Sequence, residues 1–102
     1  MHLYVVSIHI QKAAESRWVA WMTETHIPEV LDTGLFHGCR MFRSELQHRE
    51  GYTTYRMHYT LKSRQAFDTY EKVFAPALRN SAPPEFTGRF TAERDLLEMV
   101  EE

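Results

Sequence analysis

Residues 52–61, Tyr-Thr-Thr-Tyr-Arg-Met-His-Tyr-Thr-Leu, alternate without interruption. Thr53, Tyr55, Met57, Tyr59 and Leu61 fall on one side of a strand, and Thr54, Arg56, His58 and Thr60 on the other. Successive side chains of a strand project to opposite faces, so this run commits the chain to a sheet with one apolar and one mixed face. The rest of the sequence must supply partner strands and a cover for the apolar side. Residues 3–10 give one such strand, with Tyr4, Val6, Ile8 and Ile10 as an apolar face. Its odd positions, Leu3, Val5, Ser7 and His9, are only partly polar, which predicts a strand covered on both sides.

Two stretches change to helical period. From Ala13 to about Thr25, Trp18, Trp21, Met22 and Thr25 recur at spacings of three and four. Pro28 removes a backbone donor and clashes one turn back. The expectation is a break near His26-Ile27, a short turn from Pro28 to Asp32, and Gly34 as C-cap. In the second stretch Ser63 is the expected N-cap, and Phe67, Tyr70, Phe74, Ala77 and Leu78 form the stripe. Asp68 and Lys72 are spaced for an i,i+4 pair, and Pro76 marks a kink or stop. Residues 35–47 read as a less regular strand joined to 52–61 through a hairpin at His48-Arg49-Glu50-Gly51. A loop over 80–85 leads to a last strand over 86–100, bent at Gly88.

The order is β-α-β-β-α-β. Two split βαβ units of this length predict an α+β, ferredoxin-like sandwich, a four-stranded antiparallel sheet with both helices on one face. At 102 residues, with no linker or low-complexity segment, one domain is expected. The other sheet face would then be bare. Its mixed composition predicts a homodimer in which two sheets close into an α/β barrel.

A composition of 43% hydrophobic and 25% charged residues excludes disorder, and a net charge of −2 leaves no electrostatic footprint for nucleic acid or anionic lipid. No apolar run reaches the roughly 20 residues of a membrane span, and no leader pattern is visible. The single cysteine, Cys39, suits a reducing cytoplasm and reads as buried and inert.

Residues able to carry chemistry are few. His26, ahead of Pro28, can act as a general base or orient a substrate if it turns toward a cavity; otherwise it caps the broken helix. Glu29 lies three residues on and is placed to pair with it, but the two make only half a metal site, so no metal is expected. Trp18, Trp21 and Met22 are either the wall of a pocket for a flat ligand or plain core. Tyr55, Tyr59 and Tyr70 carry the same two readings. Arg56 and His58 share the mixed face of their strand, where His9 and Arg40 can join them. Together these would present a cationic, titratable lining to an anionic or enolic ligand, or else make interface hydrogen bonds or face water. Arg94, between Glu93 and Asp95, reads as a surface charge cluster or a cross-strand pair. There is no Gly-rich phosphate loop, nucleophile elbow or zinc spacing, and no cofactor is expected.

The segments Trp18-Val19-Ala20-Trp21-Met22, His26-Ile27-Pro28-Glu29-Val30-Leu31 and Thr33-Gly34-Leu35-Phe36 resemble a known family. So do Phe74-Ala75-Pro76-Ala77-Leu78-Arg79 and Gly88-Arg89-Phe90, with Ala92, Arg94, Leu96 and Leu97. The resemblance is to short bacterial proteins grouped as domain of unknown function 4286. It runs over essentially the whole chain and implies a dimeric α/β-barrel of the ferredoxin-like class, with no activity attached. Pro83-Pro84, before the last strand, departs from the family pattern. Proteins of similar architecture include cofactor-free monooxygenases, muconolactone-type isomerases and heme-degrading enzymes, an analogy of fold only.

Three functions remain open on these residues. The first is a binding or regulatory module for a small hydrophobic or aromatic ligand. The second is a cofactor-independent monooxygenase or isomerase, with His26 as base and Arg56 or Arg40 stabilising an oxyanion. The third is an interaction dimer with no small ligand.

Overall fold

The computed structural model describes residues 1–102. Its strands are β1 (His2–Gln11), β2 (Phe36–Arg43), β3 (Tyr52–Leu61) and β4 (Phe90–Glu98). They form one sheet in the order β2-β3-β1-β4, and every pairing is antiparallel. Helix α1 (residues 15–31) joins β1 to β2, and helix α2 (residues 64–79) joins β3 to β4. Trp18, Met22 and Val30 of α1 and Ala66, Tyr70 and Ala75 of α2 share one buried cluster with Tyr4, Ile8, Met57 and Tyr59 of the sheet. Both helices therefore cover the same sheet face, and the arrangement is ferredoxin-like.

The alternation of β1 and β3 is realised as expected. Tyr4, Val6, Ile8 and Ile10 pair across to Tyr59, Met57, Tyr55 and Thr53 beneath the helices. Val5, Ser7 and His9 pair with His58, Arg56 and Thr54 on the other face. Gly51 takes φ 82° in the turn that opens β3, a left-handed conformation that costs a side chain dearly and glycine nothing. Ser63 caps α2 as predicted, its hydroxyl accepting from the Ala66 N–H at 3.0 Å.

The prolines do not end the helices. In α1 the segment Met22–His26 is a π turn, closed by the Ile27 N–H donating to the Met22 carbonyl, and α-helix resumes over Ile27–Leu31. In α2 Tyr70–Phe74 does the same, with the Ala75 N–H donating to the Tyr70 carbonyl, before Ala75–Arg79. Each proline is the residue after the closing donor. The wider turn absorbs the missing N–H and the ring, so the chain bulges where a break was expected. It also holds one extra residue and shifts the phase. Thr25 is exposed, and the inward positions of α1 become Trp18, Met22, His26 and Val30, four residues apart. In α2 the buried residue is Ala75 rather than Ala77, which is exposed.

Further differences have local causes. Strand β2 is shorter than the expected 35–47, and a bulge at His37 lies between the pairs Phe36↔Leu61 and Gly38↔Thr60. The bulge sends Phe36 into the core and Phe42 to the opposite face, although their even spacing predicts one face. Asp68 pairs with Arg64 at 2.8 Å, not with Lys72. Gly88 (φ 73°) belongs to a turn, so β4 starts at Phe90 and is not bent there. The Pro83-Pro84 pair starts a short 3-10 turn, Pro84–Phe86, that buries Phe86 completely. No helix is long and apolar enough to cross a membrane.

Candidate functional site

Between the helices and the sheet lies a cavity of about 70 Å³. Trp18, Trp21, Met22 and His26 of α1 close it from above, with Tyr70, Leu78 and Arg79 of α2. Tyr4, Val6 and Ile8 of β1, Met57 and Tyr59 of β3 and Phe90 and Arg94 of β4 form its floor and rim. The extra residue of the α1 π turn brings His26 into this lining.

His26 stacks on Trp21, and its Nδ1 is buried with no hydrogen-bond partner in the protein. Burial, and then the positive charge of Arg94, lower its pKa to about 4, so the ring is neutral at pH 7. Glu29 is exposed and makes no bond to it. The aromatic wall is itself knit together. Tyr4 packs on Tyr59 and Tyr70 at centroid distances of 5.9 and 5.7 Å. Burial pushes the phenols of Tyr59 and Tyr70 up, that of Tyr70 to about 12, so both remain protonated. Arg79 Nη2 donates to Glu71 Oε1 at 2.7 Å and to the Tyr4 hydroxyl at 3.0 Å.

The sequence candidates divide between the two faces of the sheet. Trp18, Trp21, Met22 and His26 meet at the cavity. Arg56, His58 and Arg40 do not: β3 and β2 turn them to the face away from the helices, where Arg40 pairs with His58 and Phe42 with Arg56. Within a protomer the sheet thus stands between His26 and both arginines proposed to stabilise an oxyanion beside it. On that far face Arg56 Nε is buried without a partner. Burial and Arg56 lower the pKa of His58. His9 Nδ1 lies 2.7 Å from Thr54 Oγ1, and its Nε2 lies 3.0 Å from Glu93 Oε1.

Tyr55 sits elsewhere, its hydroxyl donating to Glu15, which also accepts from Thr53 at 2.9 Å. Cys39 is half-buried and its thiol is pushed up to about 11 by burial, so it is no nucleophile at neutral pH.

Arg94 is the cavity residue that sequence reasoning misplaced. It had read as a surface charge cluster or a cross-strand pair: it is exposed, but its cross-strand partner is Val6, which puts it on the helix face at the cavity with no ion pair. Phe90, Ala92, Arg94 and Leu96 alternate, and that period was the available signal.

A ferredoxin-like sandwich with an apolar cavity under its helices is the class that fold and site define. The chain belongs to the family described as Domain of unknown function (DUF4286), which it matches over residues 1–100. Among curated proteins none matches the sequence. Among solved structures it is similar to MhuD, a heme-degrader from Mycobacterium tuberculosis solved with two hemes bound in its active site. That match has 16% identity, covers 100% of this chain and 98% of that one, and has a TM-score of 0.70. A dimeric ferredoxin-like protein from an uncultured marine organism matches with 13% identity, 99% and 96% coverage and a TM-score of 0.68. SnoaB, a cofactor-independent oxygenase from Streptomyces nogalater, matches with 13% identity, 99% and 95% coverage and a TM-score of 0.61. Identities this low establish a common fold and nothing finer.

Proposed function

We propose that the protein is a homodimeric small-molecule-binding module that takes a flat, apolar ligand in the cavity beneath its helices. One observation carries the reading: His26 Nδ1 is buried, neutral and unpartnered at the edge of an aromatic-lined cavity. A buried polar atom left without a partner costs about 1–3 kcal/mol, a cost that a bound ligand's donor or acceptor removes. Apolar walls with one or two polar groups to fix orientation are the usual make-up of a ligand site.

The dimer reading rests on the far sheet face. Phe42 and Leu97 are exposed there at 47% and 39%, and Arg56 Nε lacks an acceptor that a second copy can supply. The similar marine protein is described as dimeric. The single cysteine, which suits a reducing compartment, keeps the cytoplasm as the proposed location.

The test uses the two tryptophans, which give two resolvable indole N–H resonances. Titration with benzamide, a flat neutral probe, is expected to shift both in wild type, and to shift them less in His26→Ala. No movement of either resonance at millimolar benzamide overturns the reading.

A cofactor-independent oxygenase or isomerase is the second reading, favoured by the same free imidazole and by the likeness to SnoaB. It ranks lower for two reasons. A pKa of about 4 makes His26 a weak base, and Arg56 and Arg40 face away from it.

A further inference from the structure

The cavity is not symmetric in charge. Of the residues around it only Arg79 and Arg94 are exposed, so the two arginines mark its mouth, while its inner wall is aromatic. They are not equivalent. Arg79 is spent on Glu71 and the Tyr4 hydroxyl. Arg94 has no partner, and its acidic neighbours Glu93 and Asp95 project to the other sheet face, where Glu93 is held by His9. It lines the cavity together with His26 of one helix and Tyr70 of the other.

Size adds a second constraint. A cavity of about 150 Å³ is known to take a benzene ring, and this one is half that volume. A six-membered ring cannot be enclosed, so it occupies cavity and mouth together and carries its outer substituent to Arg94. We infer that the ligand is an amphipathic anion: a flat apolar or aromatic body in the cavity and a carboxylate or enolate on the Arg94 guanidinium. The inference rests on the reading of the cavity as a binding site. A guanidinium matches a planar carboxylate bidentately, and at a partly exposed mouth it gives selectivity rather than a deep affinity.

Benzoate and benzamide differ little in shape and differ in charge, so they separate the two questions. Dissociation constants for both are read from the indole N–H shifts in wild type, Arg94→Gln and Arg94→Lys at low salt. Wild type is expected to favour benzoate by about tenfold. R94Q should abolish that preference while keeping benzamide binding, and R94K should restore part of it. Raising the salt should weaken benzoate alone. Equal affinity for the two probes in wild type, or a preference that survives R94Q, overturns the anionic class and leaves the binding site standing. If neither probe binds, the site and the inference both fall.

Discussion

The imidazole of His26 lies over the indole of Trp21, with ring centroids 4.8 Å apart and planes inclined by 27°. Burial withdraws the ring from water, and the positive charge of Arg94 adds to the cost of protonating it.

The consequence is a pH dependence of stability with a definite sign. The His26 pKa is about 4 in the fold, against about 6.5 for a free imidazole. Between those values the unfolded chain binds a proton that the folded chain refuses. Stability therefore falls as the pH drops from about 6.5 toward 4 and levels off below. The contribution is at most about 3 kcal/mol. His26→Phe keeps a stacked ring and removes the titration. Urea midpoints measured from pH 7 to 4.5 should fall in wild type relative to His26→Phe as the pH drops. Parallel profiles would contradict this.

Tyr55 and Glu15 tie β3 to the start of α1. The Tyr55 hydroxyl is the main reason that the Glu15 carboxyl sits below the usual carboxylate range. Tyr55→Phe should cost about 1–2 kcal/mol, the lower part of the range for a hydrogen bond to a charged acceptor, because Glu15 is only partly buried. Glu15 should also titrate at a higher pH in the variant, visible in its carboxyl carbon shift. A lowered carboxylate lends stability that is lost as the pH falls through its folded pKa, so Y55F should lose less than wild type on acidification.

The π turn of α1 makes two demands separable. Deleting Thr25, which is exposed, leaves Trp18, Met22, His26 and Val30 at spacings that a regular helix accepts. The same deletion brings the Pro28 ring back against a carbonyl one turn earlier, at a cost of about 3 kcal/mol. The deletion alone should be destabilised by that order, and adding Pro28→Ala should recover most of it. Thermal unfolding of the two variants decides. Equal losses in both would mean that the turn serves something other than the proline.

Phe42→Lys and Leu97→Glu place charges on the far face of the sheet at exposed positions. Neither should disturb the core, so far-UV circular dichroism should stay unchanged. Sedimentation velocity should report a dimer for wild type and a monomer for the pair of substitutions together. A monomeric wild type would remove the barrel.

Strand faces were legible because alternation is a local rule: Thr53 to Leu61 needs no knowledge of the rest of the chain. Ser63 was legible for the same reason, as a cap is decided within one turn. The bulge at His37 was not, because an extra residue in β2 shows only against its partner β3. Nor was the inward stripe of α1: a 3.6-residue period selects Thr25, and only the widened turn selects His26 and Val30. Arg94 sits in Glu93-Arg94-Asp95, which reads as solvated charge in any window of three. Its place beneath the helices follows from the register with Val6, a relation across 88 positions of the chain. Trp18, Trp21 and Met22 were found as a group because one helix carries them; Arg56 and Arg40 were set beside His26 as oxyanion stabilisers although a sheet lies between.

Both helices carry the same device, a π turn whose closing donor immediately precedes a proline. Each turn places one extra residue inside a helix, where gaps are least expected. Any residue-by-residue superposition of this chain on a relative with regular helices slips by one position after Met22, and again after Tyr70. Correspondence at His26 must then be judged by what faces the cavity, not by the count of residues from the nearest shared tryptophan.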